Sequence, residues 1–437
     1  MKLAKFSQRF CSTKKAVEIK SSLVITGAKA EVVSRTIIPD IDTQNFVQNA
    51  EKWEKNLKRR SLVDKDLFGG LSLSDLVKKT DEYDKLLQEI KSSEQERTKI
   101  QEKLKNDPKD DGAKSGQKTI KNRIKALQKS LNVAEEDCIV PLLKLPNSLD
   151  VKTPDKDKVI KQICPNEGLL KNKKYHDADL EFEEGNSSNV FLKGDLALQE
   201  IELLSKAQTF LQEDEFCDTY SAPDIVRSVV MEGCDPLSFG DPKRSLVLAK
   251  SSDFGKYDSG LGAHLVGAAS FPAMVSFFVK HIIANSDVLP LNWMSIGKQY
   301  FACEEPQYLY NTQQSSCVGL ISLNTDHSSA TEESFKQFES KYQAFYDDLG
   351  LDYRLVYKGA SKLNLPESLR LEVQVWSPRT KEFITVGSLS KYEDYVSRRL
   401  LLKYLDKNKA LRNLQLLGGT FIDTYKVLGC LIDNKSL

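Results

Sequence analysis

Between positions 72 and 145 the chain carries a pattern that leaves few choices of fold. Ile120, Ile124, Leu127, Leu131, Ala134 and Cys138 recur at alternating steps of four and three, the heptad seam of a coiled coil. Upstream, Val77, Leu86, Leu87 and Ile90 open a second helical pattern that runs through Leu104, although Glu94, Arg97 and Gln101 fall near its seam. The run Asn106-Asp107-Pro108-Lys109-Asp110-Asp111-Gly112 between them is a turn signal. Two helices of about 30 residues joined by one tight turn predict an antiparallel hairpin, roughly 45–50 Å long at 1.5 Å per residue. Pro141 and Pro146 are expected to end it.

Charge along this rod is uneven. Its distal half carries Arg97, Lys99, Lys103, Lys105, Lys109, Lys114, Lys118, Lys121, Arg123, Lys125 and Lys129, and the segment 114–129 contains no acid. Lys114, Lys118, Lys121, Arg123, Lys125 and Lys129 are therefore candidate RNA contacts, because a basic stripe on a protruding rod neutralises phosphate. A solvated coiled-coil face also carries many lysines, and the stripe alone does not separate the two readings. The whole chain, at net charge +1, says nothing about a polyanionic partner.

At 437 residues the chain has room for roughly three units at ~150 residues each. Its hydrophobic content of 40% is that of ordinary globular proteins. Nothing in it reads as a membrane span. The eight cysteines are scattered, no CxxC pair occurs, and only four histidines accompany them. Neither a zinc site nor a disulfide framework is expected, and no cofactor or metal is assigned. Lys2, Lys5, Arg9, Lys14 and Lys15 with Ser7, Ser12 and Thr13 precede the first acid, Glu18. Such a start reads as a mitochondrial presequence, assigned to 1–20, which places the chain in the matrix. A plain basic tail is the alternative.

Residues 21–150 read as an N-terminal domain. It holds a strand candidate at Ser22–Thr26, an amphipathic helix from Thr43 to Arg60, a break at Phe68-Gly69-Gly70 and the arm at about 72–145. Residues 151–187 form a polar, lysine-rich connector. From 188 to 437 the texture is globular. A helix is expected at Leu196–Leu211, then a strand and turn at Thr219–Pro223, with another helix starting near Asp224. Further strands are expected at Arg354–Tyr357, Leu371–Trp376 and Phe383–Val386. Gly387-Ser388 should separate the last of these from a helix at Lys391–Tyr404, and a final helix should cover Thr420–Ile432. This order predicts an α+β fold around an antiparallel sheet with flanking helices.

An antiparallel coiled-coil arm followed by an antiparallel-sheet domain resembles seryl-tRNA synthetase, a class II aminoacyl-tRNA synthetase. Asn56-Leu57-Lys58-Arg59-Arg60 resembles the helix that ends before the family's arm, and Leu145-Pro146-Asn147 the turn that closes it. Leu192 to Leu198 resembles the entry to the catalytic domain. Tyr220 to Val226 and Glu232-Gly233-Cys234 resemble motif 1 and its sequel, which build the family's dimer interface. Leu289-Pro290-Leu291, Glu393-Asp394-Tyr395 and Arg398-Arg399 fall in order after them. The resemblance covers about 40–430. It implies a class II sheet and an arm that holds tRNA.

The same resemblance assigns active-site positions, and most hold residues unsuited to the chemistry. Serine activation needs ATP held bent and its phosphate charge neutralised by Arg, Glu and bound Mg²⁺. The family's Thr-x-Glu element, which reads the serine amine, matches Ala268-Ala269-Ser270. Its Phe-Arg-x-Glu motif matches Phe301-Ala302-Cys303-Glu304, so Ala302 replaces the arginine while Glu304 stays. A second arginine matches Cys317, and the loop Gln307–Ser316 holds no basic residue. The metal-binding acid pair matches Glu372 and Gln374, and the next glutamate matches Thr385. Lys426 stands for the arginine over the γ-phosphate, keeping charge but losing the bidentate fork. Lys250, Lys256 and Lys298 are the basic residues that could reach in instead. His264 and His281 are expected to pack rather than to act as bases.

The expectation is a non-catalytic paralogue of mitochondrial seryl-tRNA synthetase. It would form a heterodimer with the active mitochondrial seryl-tRNA synthetase and could hold mitochondrial tRNA or other RNA. The alternative is a divergent but active mitochondrial serine–tRNA ligase.

Overall fold

The computed structural model describes residues 20–25, 37–106, 110–163, 179–183, 186–238, 241, 245–249, 262–302 and 308–435. Residues 1–19, Lys109, Lys250, Lys256, Cys303 and Glu304 lie outside the described residues.

The arm consists of two helices, α1 (Leu73–Asn106) and α2 (Asp111–Leu143), of 34 and 33 residues. Asp110 caps α2, its carboxylate accepting from Ala113 N at 2.9 Å. Ile90, Ile120, Ile124 and Cys138 are buried along the expected seam. Pro141 does not end α2 but lies inside it, just before the last turn closes. The helix survives the lost N–H because its neighbours Cys138, Ile139, Leu142 and Leu143 are all buried in the root of the arm. The expected helix at Thr43–Arg60 divides at Asn49 into Thr43–Gln48 and Ala50–Arg59.

The root is tied to the body through buried polar groups. The Arg60 guanidinium donates to the carbonyls of Asn147 (3.0 Å), Asn364 (3.0 Å) and Glu367 (2.5 Å). Asn147 in turn donates to the carbonyls of Pro366 (2.9 Å) and Tyr392 (2.8 Å). The two stretches that bracket the arm in sequence thus meet in space.

The body is built on an eight-stranded sheet. Its strands in chain order are β1 (Lys158–Ile163), β2 (Asp218–Thr219), β3 (Leu291–Tyr300) and β4 (Gln314–Asn324), then β5 (Tyr353–Tyr357), β6 (Leu369–Ser377), β7 (Glu382–Glu393) and β8 (Gln415–Asp423). They lie in the order β1-β5-β6-β7-β8-β4-β3-β2, antiparallel except for the short β2–β3 pair. One face packs Leu371, Val373, Val375, Val386, Val318, Leu320 and Phe421 against three helices, α3 (Gly194–Gln212), α4 (Ser328–Leu349) and α5 (Thr424–Lys435).

Three expectations shift. The connector supplies β1, whose lysines 158 and 161 are exposed on an edge strand, a placement that discourages edge pairing. Strand β7 runs straight through Gly387-Ser388, because both its neighbours bond it there, and the following helix shrinks to Tyr395–Leu400. The last helix begins at Thr424 rather than Thr420, since Gly418–Asp423 are held in β8 between β7 and β4.

Candidate functional site

The sheet face opposite α3, α4 and α5 gathers most of the predicted positions. Arg370, Glu372 and Gln374 alternate with Leu371 and Val373 along β6, so they share this face. Glu372 is buried and fully engaged by its own chain. Its carboxylate accepts from Gln374 Nε2 at 2.7 Å and from Thr385 Oγ1 at 2.9 Å. It also forms ion pairs with Arg370 Nε at 3.1 Å and Lys358 Nζ at 3.4 Å. Burial opposes its charge, but Arg370, Lys358 and the two hydrogen bonds hold the carboxyl below the usual glutamate range. Gln374 extends the chain of contacts by accepting from Arg354 Nε at 2.9 Å. Gln374 and Thr385, which the resemblance sets at carboxylate positions, are thus neutral and both hydrogen-bond Glu372.

Next to this group, Arg370 also pairs with Glu367 at 3.2 Å. Lys391, 4% exposed, reaches Asp150 at 2.7 Å and Glu332 at 3.2 Å. These cations were not singled out in the sequence. The signal was there for Arg370, two residues ahead of Glu372 and so on the same face of a strand. Lys358 follows β5 and is brought to Glu372 by cross-strand pairing, whereas Lys391 on β7 turns to the helix-covered side, toward Glu332 of α4.

The segment Gly267–Ser270 lies directly on β3 and β4. A Cβ at Gly319 would come within 2.0 Å of the Ala269 carbonyl oxygen, and one at Gly297 within 2.9 Å of Ala268 Cβ. Gln299 fastens the segment, donating to Ala269 O at 2.7 Å and Thr420 Oγ1 at 2.9 Å. Ser270 caps the helix Phe271–Ser276, its hydroxyl accepting from Ala273 N at 3.4 Å. Among these three positions no carboxylate is available to meet a substrate amine.

Cys317 is fully buried, opposite Gly297 and Asp423 in the ladder. Burial and the Asp423 carboxylate push its thiol well above the ordinary range. Lys426 lies in the first turn of α5 and pairs with Asp423 at 3.0 Å. Burial works against its charge, but Asp423 outweighs it and raises the ammonium above the usual lysine range. Its Nζ stands 5.6 Å over the Phe301 ring, beside Ala302. Lys298 points the other way, to Ser316 Oγ at 2.5 Å and to Glu200 of α3 at 3.3 Å. His264 is buried between Ser228 Oγ (2.9 Å) and Ser245 Oγ (3.2 Å), a packed histidine as expected, and burial lowers its basicity. No cluster of side chains suited to a metal occurs among the described residues.

The arm residues Lys114, Lys118, Lys121, Arg123, Lys125 and Lys129 are all exposed on α2. Ile120 and Ile124 between them are buried, so the stripe faces away from α1.

Residues 262–435 match the family model described as the tRNA synthetase class II core domain (G, H, P, S and T). The proteins that the chain resembles include serine–tRNA ligases and a protein named as serine–tRNA synthetase-like. It is 26% identical to the serine–tRNA synthetase-like protein Slimp of Drosophila melanogaster, over 95% of this chain and 89% of that protein. It is 24% identical to the cytoplasmic serine–tRNA ligase of Danio rerio over 57% of this chain and 49% of the relative, about half the relative's length. The fold is that of the seryl-tRNA synthetase of Pyrococcus horikoshii, solved with ATP, at a TM-score of 0.73 and 18% identity over 90% of this chain and 94% of that one.

Proposed function

We propose that the chain is a non-catalytic paralogue of mitochondrial seryl-tRNA synthetase that works by binding. The observation that carries this reading is Glu372, which matches a metal-binding acid and is neutralised by Arg370 and Lys358 of its own chain. Mg²⁺ needs carboxylate oxygens that are free to reach it at close to ideal geometry. Ala302 and the buried Cys317 at arginine positions, with Ala268 and Ser270 at the amine-reading element, point the same way. Losing one preorganised transition-state donor costs roughly 10²–10³ in rate. Two or more such losses, even far from additive, amount to about 10⁴ or more. Serine-dependent ATP–pyrophosphate exchange by the purified protein tests this.

The partner in this reading is an active mitochondrial seryl-tRNA synthetase, in a heterodimer built through α3 and the motif 1 segment Tyr220–Val226. Leu198 and Ile201 support it, standing 61% and 63% exposed on α3 while Leu203, Ala207 and Leu211 are buried. The sequel Glu232-Gly233-Cys234 is itself buried within the chain, so in this reading the contact falls to α3 and to motif 1, where Ile225 is 50% exposed. The exposed basic stripe on α2 then holds mitochondrial tRNA or another RNA, and the basic leader directs the chain to the matrix. Co-purification of a seryl-tRNA synthetase with the tagged protein is expected. A stable homodimer with no synthetase attached contradicts the partner assignment.

A further inference from the structure

Residues Ser21–Ile25 are buried throughout, at exposures of 0, 2, 0, 5 and 3%. One carboxylate holds their polar atoms. Glu232, in the helix Ser228–Cys234, accepts from Ser22 N at 2.6 Å, Ser22 Oγ at 2.5 Å and Leu23 N at 3.2 Å. The Ser21 hydroxyl accepts from Leu23 N (3.1 Å) and Val24 N (3.0 Å), which closes the segment into a turn. Leu23 and Val24 join one apolar cluster with Cys138, Ile139, Leu142 and Leu143 at the root of the arm and with Val230 and Met231 of the body. Immediately before this segment, Lys20 is in solvent and pairs with Glu136 of α2 at 3.5 Å. The boundary between water and core therefore falls at the Lys20–Ser21 bond.

We propose that Ser21–Ile25 is a clasp joining the arm root to the body, and that it sets the limit of N-terminal processing at the Lys20–Ser21 bond. Hydrolysis at or ahead of that bond adds one water. It leaves a carboxylate on the released leader and an α-ammonium on the retained chain, and the clasp stays seated. Cleavage after Ser22 removes the Ser22 N and Oγ donors from a buried carboxylate, and cleavage after Val24 also bares the apolar surface that Leu23 and Val24 cover. The argument does not depend on which compartment receives the chain.

Two measurements decide it. Intact-mass analysis of the protein recovered from its own cells should give a first residue no later than Ser21, and a chain beginning at Ser22 or later overturns the proposal. In the full-length protein, Leu23→Asp should lower Tm by about 5 °C or more, or prevent folding. A milder cycle guards against wholesale misfolding. Ser22→Ala and Glu232→Gln should each lower Tm, and the double variant should fall by much less than their sum. Unchanged Tm in all of these variants overturns the clasp.

Discussion

Arg370 Nε lies 3.1 Å from Glu372 Oε1, an ion pair rather than a directed hydrogen bond, on the sheet face where the resemblance places metal and ATP. With Lys358 at 3.4 Å, the pair gives this face an internal charge balance that needs no bound ion. The account treats this balance as what stabilises the pocket in place of a ligand.

Removing one side of that balance should be costly. Arg370→Ala leaves Glu372 and Glu367 buried with less compensation, and a loss of about 3 kcal/mol is expected in denaturant unfolding. Arg370→Ala with Glu372→Gln should recover part of it, because the uncompensated charge is then gone.

Acid should act through the same carboxylate. The Glu372 carboxyl is held below its ordinary value of 4.5. Its contribution to stability is therefore complete above pH 4.5 and is lost as pH falls through the lower folded value. Thermal melts from pH 6 to pH 3 should show a shallower acid decline in Glu372→Gln than in the wild type.

The arm makes a separate prediction. Lys118, Lys121 and Lys125 are exposed on one stripe of α2. Changing all three to Glu should weaken RNA binding roughly tenfold or more at low salt. It should also flatten the plot of log K against log salt by about 2, at ~0.7–0.9 per phosphate contact. Unchanged binding identifies the stripe as a solvated coiled-coil face.

Partner binding should respond to α3. Leu198→Asp with Ile201→Asp should abolish capture of an active seryl-tRNA synthetase and change the stability of the isolated chain by only about 0.5 kcal/mol, both side chains being exposed.

The arm was the most legible part of the sequence, because heptads of Ile120, Ile124 and Cys138 and the 106–112 turn are local signals. Strand lengths were less so. Gly387-Ser388 reads locally as a break, yet β6 and β8 on either side extend the strand through it. The connector looked unstructured because β1 is an edge strand with no apolar alternation to reveal it. At the site, the resemblance picked out Glu372, Gln374 and Thr385, which the structure brings into one hydrogen-bonded group. Lys358 was missed because only cross-strand pairing brings it to Glu372, and Arg370 because no motif marks it although it stands two residues ahead on the same strand.

Serine-dependent ATP–pyrophosphate exchange tests the central claim most directly. The account predicts no exchange above the serine-free background at any Mg²⁺ concentration. Clear serine-dependent exchange, abolished by Glu372→Gln or Lys426→Ala, would contradict it and make the chain a divergent, working serine–tRNA ligase.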